Sequence, residues 1–87
     1  MSEERLLSFP CQFPIKVMGK NDVSFEQTVL TIVRQHVPDL AEGAIRQRPS
    51  GKGNYLAITV TINATSQEQL DALYIDLSGH ELVIMVI

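Results

Sequence analysis

From Tyr55 to Asn63 the chain alternates without a break. Leu56, Ile58, Val60 and Ile62 fall on one side, and Tyr55, Ala57, Thr59, Thr61 and Asn63 on the other. A period of two built on β-branched residues predicts a strand with one buried face. Weaker strands are predicted over Ile15–Met18, which Gly19 stops, over Ala44–Arg48, and over Leu82–Ile87. Between them the apolar positions change to helical spacing. Phe25, Val29, Ile32, Val33 and Val37 form one stripe, which Asp22 or Ser24 can cap and Pro38 must end. Leu70, Leu73 and Leu77, with Tyr74 beside them, form a second stripe. Thr65 or Ser66 caps it, and Ser66 with Gln69 has capping-box spacing; Ser78-Gly79 closes it.

The order is therefore β-α-β-β-α-β. Each helix has one apolar stripe and must lay it on a sheet. The economical arrangement is an α+β, ferredoxin-like fold: a four-stranded antiparallel sheet with both helices on one face and the first and third strands in the centre. With 87 residues this is one domain, 1–87, whose first eight residues read as a loose arm that Leu6, Leu7 and Phe9 can tack onto the body.

Two helices on one face leave the other bare, and parity gives its content. Tyr55, Thr59, Thr61 and Asn63 point outward from the third strand, Lys16 and Met18 from the first, Arg46 and Arg48 from the second. If Leu82, Ile84 and Val86 face inward, then Val83, Met85 and Ile87 complete the open face. An apolar margin of this kind marks contact with a protein partner or a second copy, unless the last strand curls inward or the leading arm covers it. Arg46 and Arg48 can clamp a carboxylate or phosphate. On an edge strand they also block edge-to-edge pairing.

Charge and candidate chemistry narrow the reading further. A net charge of −3 argues against nucleic acid and anionic membranes as general partners. The same strand order suits RNA-recognition modules, but those stack bases on central aromatics, and here the central outward positions hold Lys16, Met18, Ala57, Thr59 and Thr61. A single cysteine, Cys11, excludes an internal disulfide and a cysteine-rich metal site. An acidic start and no apolar run beyond Leu82–Ile87 predict a cytoplasmic protein. Ser50-Gly51-Lys52-Gly53 looks like a phosphate loop but joins two strands, so its glycines serve a hairpin turn whose backbone N–H groups retain some capacity for an anion. Nothing in the sequence places beside His36, His80 or Cys11 the base or carboxylate that catalysis needs, so they read as structural. No cofactor is implied.

Phe13-Pro14-Ile15-Lys16-Val17-Met18-Gly19, Ser50-Gly51-Lys52-Gly53-Asn54-Tyr55, Thr61-Ile62-Asn63-Ala64-Thr65 and the closing Val86-Ile87 resemble the YbeD-like family of small bacterial proteins of unknown function. The resemblance covers nearly the whole chain. It implies a ferredoxin-like fold similar to ACT-type regulatory domains, in which a glycine at the turn after the first strand serves ligand binding; Gly19 stands in a comparable place. It also implies a regulatory tie to lipoate metabolism, and it supplies no catalytic residues. The expectation is a non-enzymatic regulatory or protein-interaction module that works through its open face. The alternative is a sensor for a small anionic metabolite, held at that face by Arg46 and Arg48 or at the Gly-rich hairpin.

Overall fold

A computed structural model describes residues 8–87. Strand β1 spans Cys11–Lys20, helix α1 Val23–His36, β2 Ile45–Ser50, β3 Tyr55–Ala64, α2 Gln67–Ser78 and β4 Val83–Val86; a single 3₁₀ turn, Glu42–Ala44, leads into β2. The sheet order is β2-β3-β1-β4, and each neighbouring pair is antiparallel. This is the ferredoxin-like arrangement expected from the pattern of apolar positions. The arm predicted over residues 1–8 lies outside the described residues apart from Ser8, which is exposed.

One apolar layer holds the fold together. Ile15 and Val17 of β1 and Leu56, Ile58, Val60 and Ile62 of β3 meet Phe25, Val29 and Val33 of α1 and Leu70, Leu73 and Leu77 of α2, all buried. Both helix starts follow from their caps. The Asp22 carboxylate accepts from the Ser24 N–H at 2.9 Å. The Ser66 hydroxyl accepts from the Gln69 N–H at 3.1 Å. Gln69 then does more than a capping box requires: its Oε1 accepts from the Thr65 N–H at 2.8 Å and its Nε2 donates to the His36 carbonyl at 3.0 Å. The start of α2 is thereby tied to the end of α1. Lower down the same pair of helices, His36 Nε2 lies 2.7 Å from Asp76 Oδ2.

β1 runs well past its predicted limits and contains Pro14, paired with Thr61 of β3. Lys16 exchanges both its backbone hydrogen bonds with Ile87. Pro14, two residues earlier, therefore turns its donorless nitrogen toward that same edge, beyond the stretch where β4 pairs. A proline is tolerated there because no ladder bond is lost. β2 likewise extends through Pro49 to Ser50 on the sheet's outer edge.

Candidate functional site

The register turns the open face into a map. Arg46, Thr59, Lys16 and Ile87 stand side by side across all four strands. The next row is Arg48, Ala57, Met18 and Met85. Adjacent strands lie about 4.8 Å apart, so each row carries basic side chains at the β2 end and apolar ones at the β4 end. Arg46, Arg48 and Lys16 are exposed and, with Gln47, Ala57 and Thr59, line a shallow groove of about 360 Å³. Among the described residues no carboxylate lines it. Beside it Met18, Tyr55, Ile84 and Met85 enclose a separate apolar hollow of about 260 Å³.

One orientation departs from the expected parity. Val83 was expected on the open face and Ile84 inside; the structure reverses them. The β1–β4 register slips between Met18 and Gly19, so that Met85 pairs with Met18 but Val83 pairs with Gly19. Ile84 is the extra residue of a β-bulge, which breaks strict alternation. Val83 packs against the core, while Ile84 is 58% and Met85 48% exposed. Ile84 is thus the residue that sequence parity missed. The available signal was Gly19, since a glycine inside a strand often marks a bulge or a close backbone approach.

Gly19 also departs from the place the ACT likeness gave it. It lies within β1, not in a turn, and a side chain there would run into the Phe25 ring and the Leu82 carbonyl oxygen. The space beside it belongs to packing rather than to a ligand.

Thr61 belongs to a different groove. It lines a hollow of about 360 Å³ at the far end of the sheet with Gln12, Asn63, Asp39 and Arg46, below the Val37–Ala44 connector. Gln12 and Asp39 carried no earlier signal, because the connector that brings them together has no periodicity. Arg46 is the side chain common to both polar grooves.

The Gly-rich hairpin is a tight loop in which Gly51, Lys52 and Gly53 all have positive φ, at 58°, 60° and 86°. Gly53 N–H donates to the Ser50 carbonyl at 3.1 Å and Asn54 N–H to the Gly51 carbonyl at 3.2 Å. Asn21 fastens the loop from outside, its Nδ2 on the Gly53 carbonyl and its N–H on the Asn54 carbonyl, each at 3.0 Å. Two of the N–H groups that an anion would need are already spent inside the turn.

His80 is likewise engaged locally, its Nδ1 accepting from the Leu82 N–H at 3.1 Å. Cys11 is half-buried against the core. Two titratable groups among the described residues depart from their ordinary values, and both for structural reasons. Hydrogen bonds from the Ser24 backbone and side chain hold Asp22 below the usual carboxylate value, and partial burial on α2 pushes the Tyr74 phenol up. Neither lies on the open face. Among the described residues, no three His, Cys, Asp or Glu side chains gather as a metal site would require, and no helix is long and apolar enough to cross a membrane.

The sheet order and the two helices packed on its apolar face define the class, a small α+β domain of ferredoxin-like fold. Within it, the chain belongs to the family described as protein of unknown function DUF493, whose model matches residues 4–87. It is 48% identical over 84 residues to a UPF0250 protein of Paraburkholderia phytofirmans, covering 97% of this chain and 94% of that one. It is 47% identical to the UPF0250 protein NE1487 of Nitrosomonas europaea over the full length of both. The YbeD-like resemblance carried by the Lys16–Gly19 and Lys52–Tyr55 strings is therefore family membership. In fold the chain is similar to the C-terminal domain of the MgtC protein from Mycobacterium tuberculosis, with a TM-score of 0.69 over 94% of this chain and 89% of that one, at 20% identity.

Proposed function

We propose that the chain is a non-enzymatic, regulatory protein-interaction module that acts through the open face of its sheet. The observation that carries this reading is the hollow formed by Met18, Tyr55, Ile84 and Met85, which holds large apolar side chains in water beside a row of bases. Burial of such a patch against a partner releases its hydration, at roughly 25 cal/mol per Å² of apolar area. The bulge at Ile84 enlarges the patch, because two successive apolar residues are exposed there. The shifted titratable groups, Asp22 and Tyr74, belong to a helix cap and to packing off this face, which supports contact as its role.

The test is complex formation with and without Met85→Lys and Ile84→Lys, followed by sedimentation over a concentration series and by affinity recovery. Enzymes of lipoate synthesis are the first partners to try, on the strength of the family resemblance. Loss of a complex in both variants, with unchanged melting, supports the reading. A strict monomer that recovers no partner, whether wild type or variant, overturns it.

A second reading is favoured by Arg46, which lines both polar grooves: a small anionic metabolite would bind there. Thermal-shift measurements against carboxylates and phosphorylated metabolites test it. Stabilisation must disappear in Arg46→Ala with Arg48→Ala for that reading to stand.

A further inference from the structure

We infer that the occupant of the open face is an acidic, amphipathic segment of another protein: one apolar side chain seats between Met18, Tyr55, Ile84 and Met85, and carboxylates meet Lys16, Arg46 and Arg48. This rests on the contact reading above and goes further by naming the chemistry of the partner.

The argument starts from how charge is distributed. The four strands carry Lys16, Lys20, Arg46 and Arg48 and no Asp or Glu. The acids of the described residues sit instead on the helices and connectors, among them Glu26, Asp39, Asp71 and Asp76. A protein with net charge −3 thus presents one basic face. Among the described residues none of these four bases is paired with a carboxylate. Exposed guanidinium groups bind carboxylates in a two-pronged geometry, and Arg46 and Arg48, two residues apart on one strand, project from the same side.

Geometry then selects the size of the ligand. The apolar hollow lies over β1 and β4 and the arginines stand on β2, so their centres are about 12 Å apart, or two and a half strand spacings. A small metabolite fills one feature but not both. A peptide spans them easily, since about eight helical residues or four extended ones cover that distance.

The other occupants fit less well. A second copy docked face to face sets the groove of Lys16, Arg46 and Arg48 against its own like charges, and among the described residues no carboxylate lines that groove. Nucleic acid would require stacking aromatics along the central strands, and Tyr55 is the lone aromatic side chain on the open face.

The experiment is selection of 16-residue peptides from a random display library on the purified full chain. Enriched peptides are then titrated into the isotope-labelled protein and followed by amide NMR. We expect enrichment of Asp and Glu together with Leu, Ile, Phe or Met, and shifts along the two rows that contain Lys16 and Met18. Affinity falls at least roughly tenfold in Arg46→Glu with Arg48→Glu, the size of one lost charge-assisted pair. It falls by a similar factor in Met85→Lys, and several-fold when salt is raised from about 0.05 to 0.5 M. The milder Arg46→Gln with Arg48→Gln keeps the result interpretable should the charge reversal disturb folding.

Peptides without acidic bias that still depend on Met85 overturn the acidic partner and leave the contact reading standing. Binding indifferent to every substitution on the face overturns both. A dimer abolished by Met85→Lys names a second copy, and saturable binding of inorganic phosphate at Arg46 and Arg48 with no peptide enriched names a small anion. Shifts at Lys16, Arg46 and Arg48 caused by Glu3→Gln with Glu4→Gln name the chain's own leading residues. Each of these three overturns the inference.

Discussion

A methyl group on Gly19 has no room. Its Cβ would press on the Phe25 ring and lie 2.5 Å from the Leu82 carbonyl oxygen, and the second of these is backbone, which cannot rotate away. The same residue sits where the β1–β4 register slips, so it serves both packing and the bulge that turns Ile84 outward. Overpacking of a filled core costs about 1–3 kcal/mol, and a backbone clash puts this site at the upper end. Gly19→Ala should therefore lower the urea midpoint sharply without changing the slope. Gly43→Ala is the control: a Cβ there meets nothing within 4 Å, and its effect should stay within about 0.5 kcal/mol. Equal effects of the two substitutions would dismiss the packing account. Had Gly19 served a ligand instead, the alanine variant would lose binding and keep its stability.

At the scale of elements, helix starts and the central strand were legible in advance for a common reason: their determinants are local. Ser66 and Gln69 are three residues apart, Asp22 and Ser24 two, and β3 alternates over its whole length. β4 departs from parity only at Val83 and Ile84, because its orientation depends on how it meets β1 and the extra residue of the bulge breaks the alternation there. β1 was underestimated because Pro14 looks like a boundary until β4 is seen to pair only beyond it. In the candidate site, the bases and Met18, Tyr55 and Met85 followed from parity, whereas Ile84, Gln12 and Asp39 required tertiary knowledge.

The α1 cap yields a pH prediction. The folded-state pKa of Asp22 is lowered, chiefly by its bond from the Ser24 N–H. Its stabilisation is therefore complete above the ordinary aspartate value of 3.8 and is lost as pH falls through the lower, folded value. Asn caps helices too but carries no charge to set against the helix N-terminus. Asp22→Asn should be slightly less stable than wild type at neutral pH, and the two denaturation midpoints should converge below pH 3.8. A difference that does not change with acidity would mean that the charge contributes nothing and only the hydrogen-bond geometry matters.

For the whole molecule, the decisive property is that charge is sorted between the two sides of the sheet. The helix layer brings Glu26, Glu68, Asp71 and Asp76 on the α1 and α2 surfaces, set against Arg34 and a histidine, His36, that already leans on Asp76. The strand layer brings bases alone. A thin domain with opposite signs on its two sides has a dipole across its short dimension, and such a field orients an approaching acidic partner before contact. The consequence is measurable without knowing the partner. Paired nitroxide co-solutes, one anionic and one cationic, broaden amide signals in proportion to their local concentration. The anionic probe should exceed the cationic one by about twofold or more at Lys16, Arg46, Arg48 and Thr59, since surface potentials of several kT are usual for such clusters. The ratio should invert along α2 at Asp71 and Asp76, and both contrasts should collapse above about 0.5 M salt, where the screening length falls to a few ångströms. Arg46→Gln with Arg48→Gln should flatten the strand side and leave the helix side as it was. Equal broadening by both probes over the open face would show that its bases are screened or covered in solution, and an electrostatic approach from that side would then have no basis.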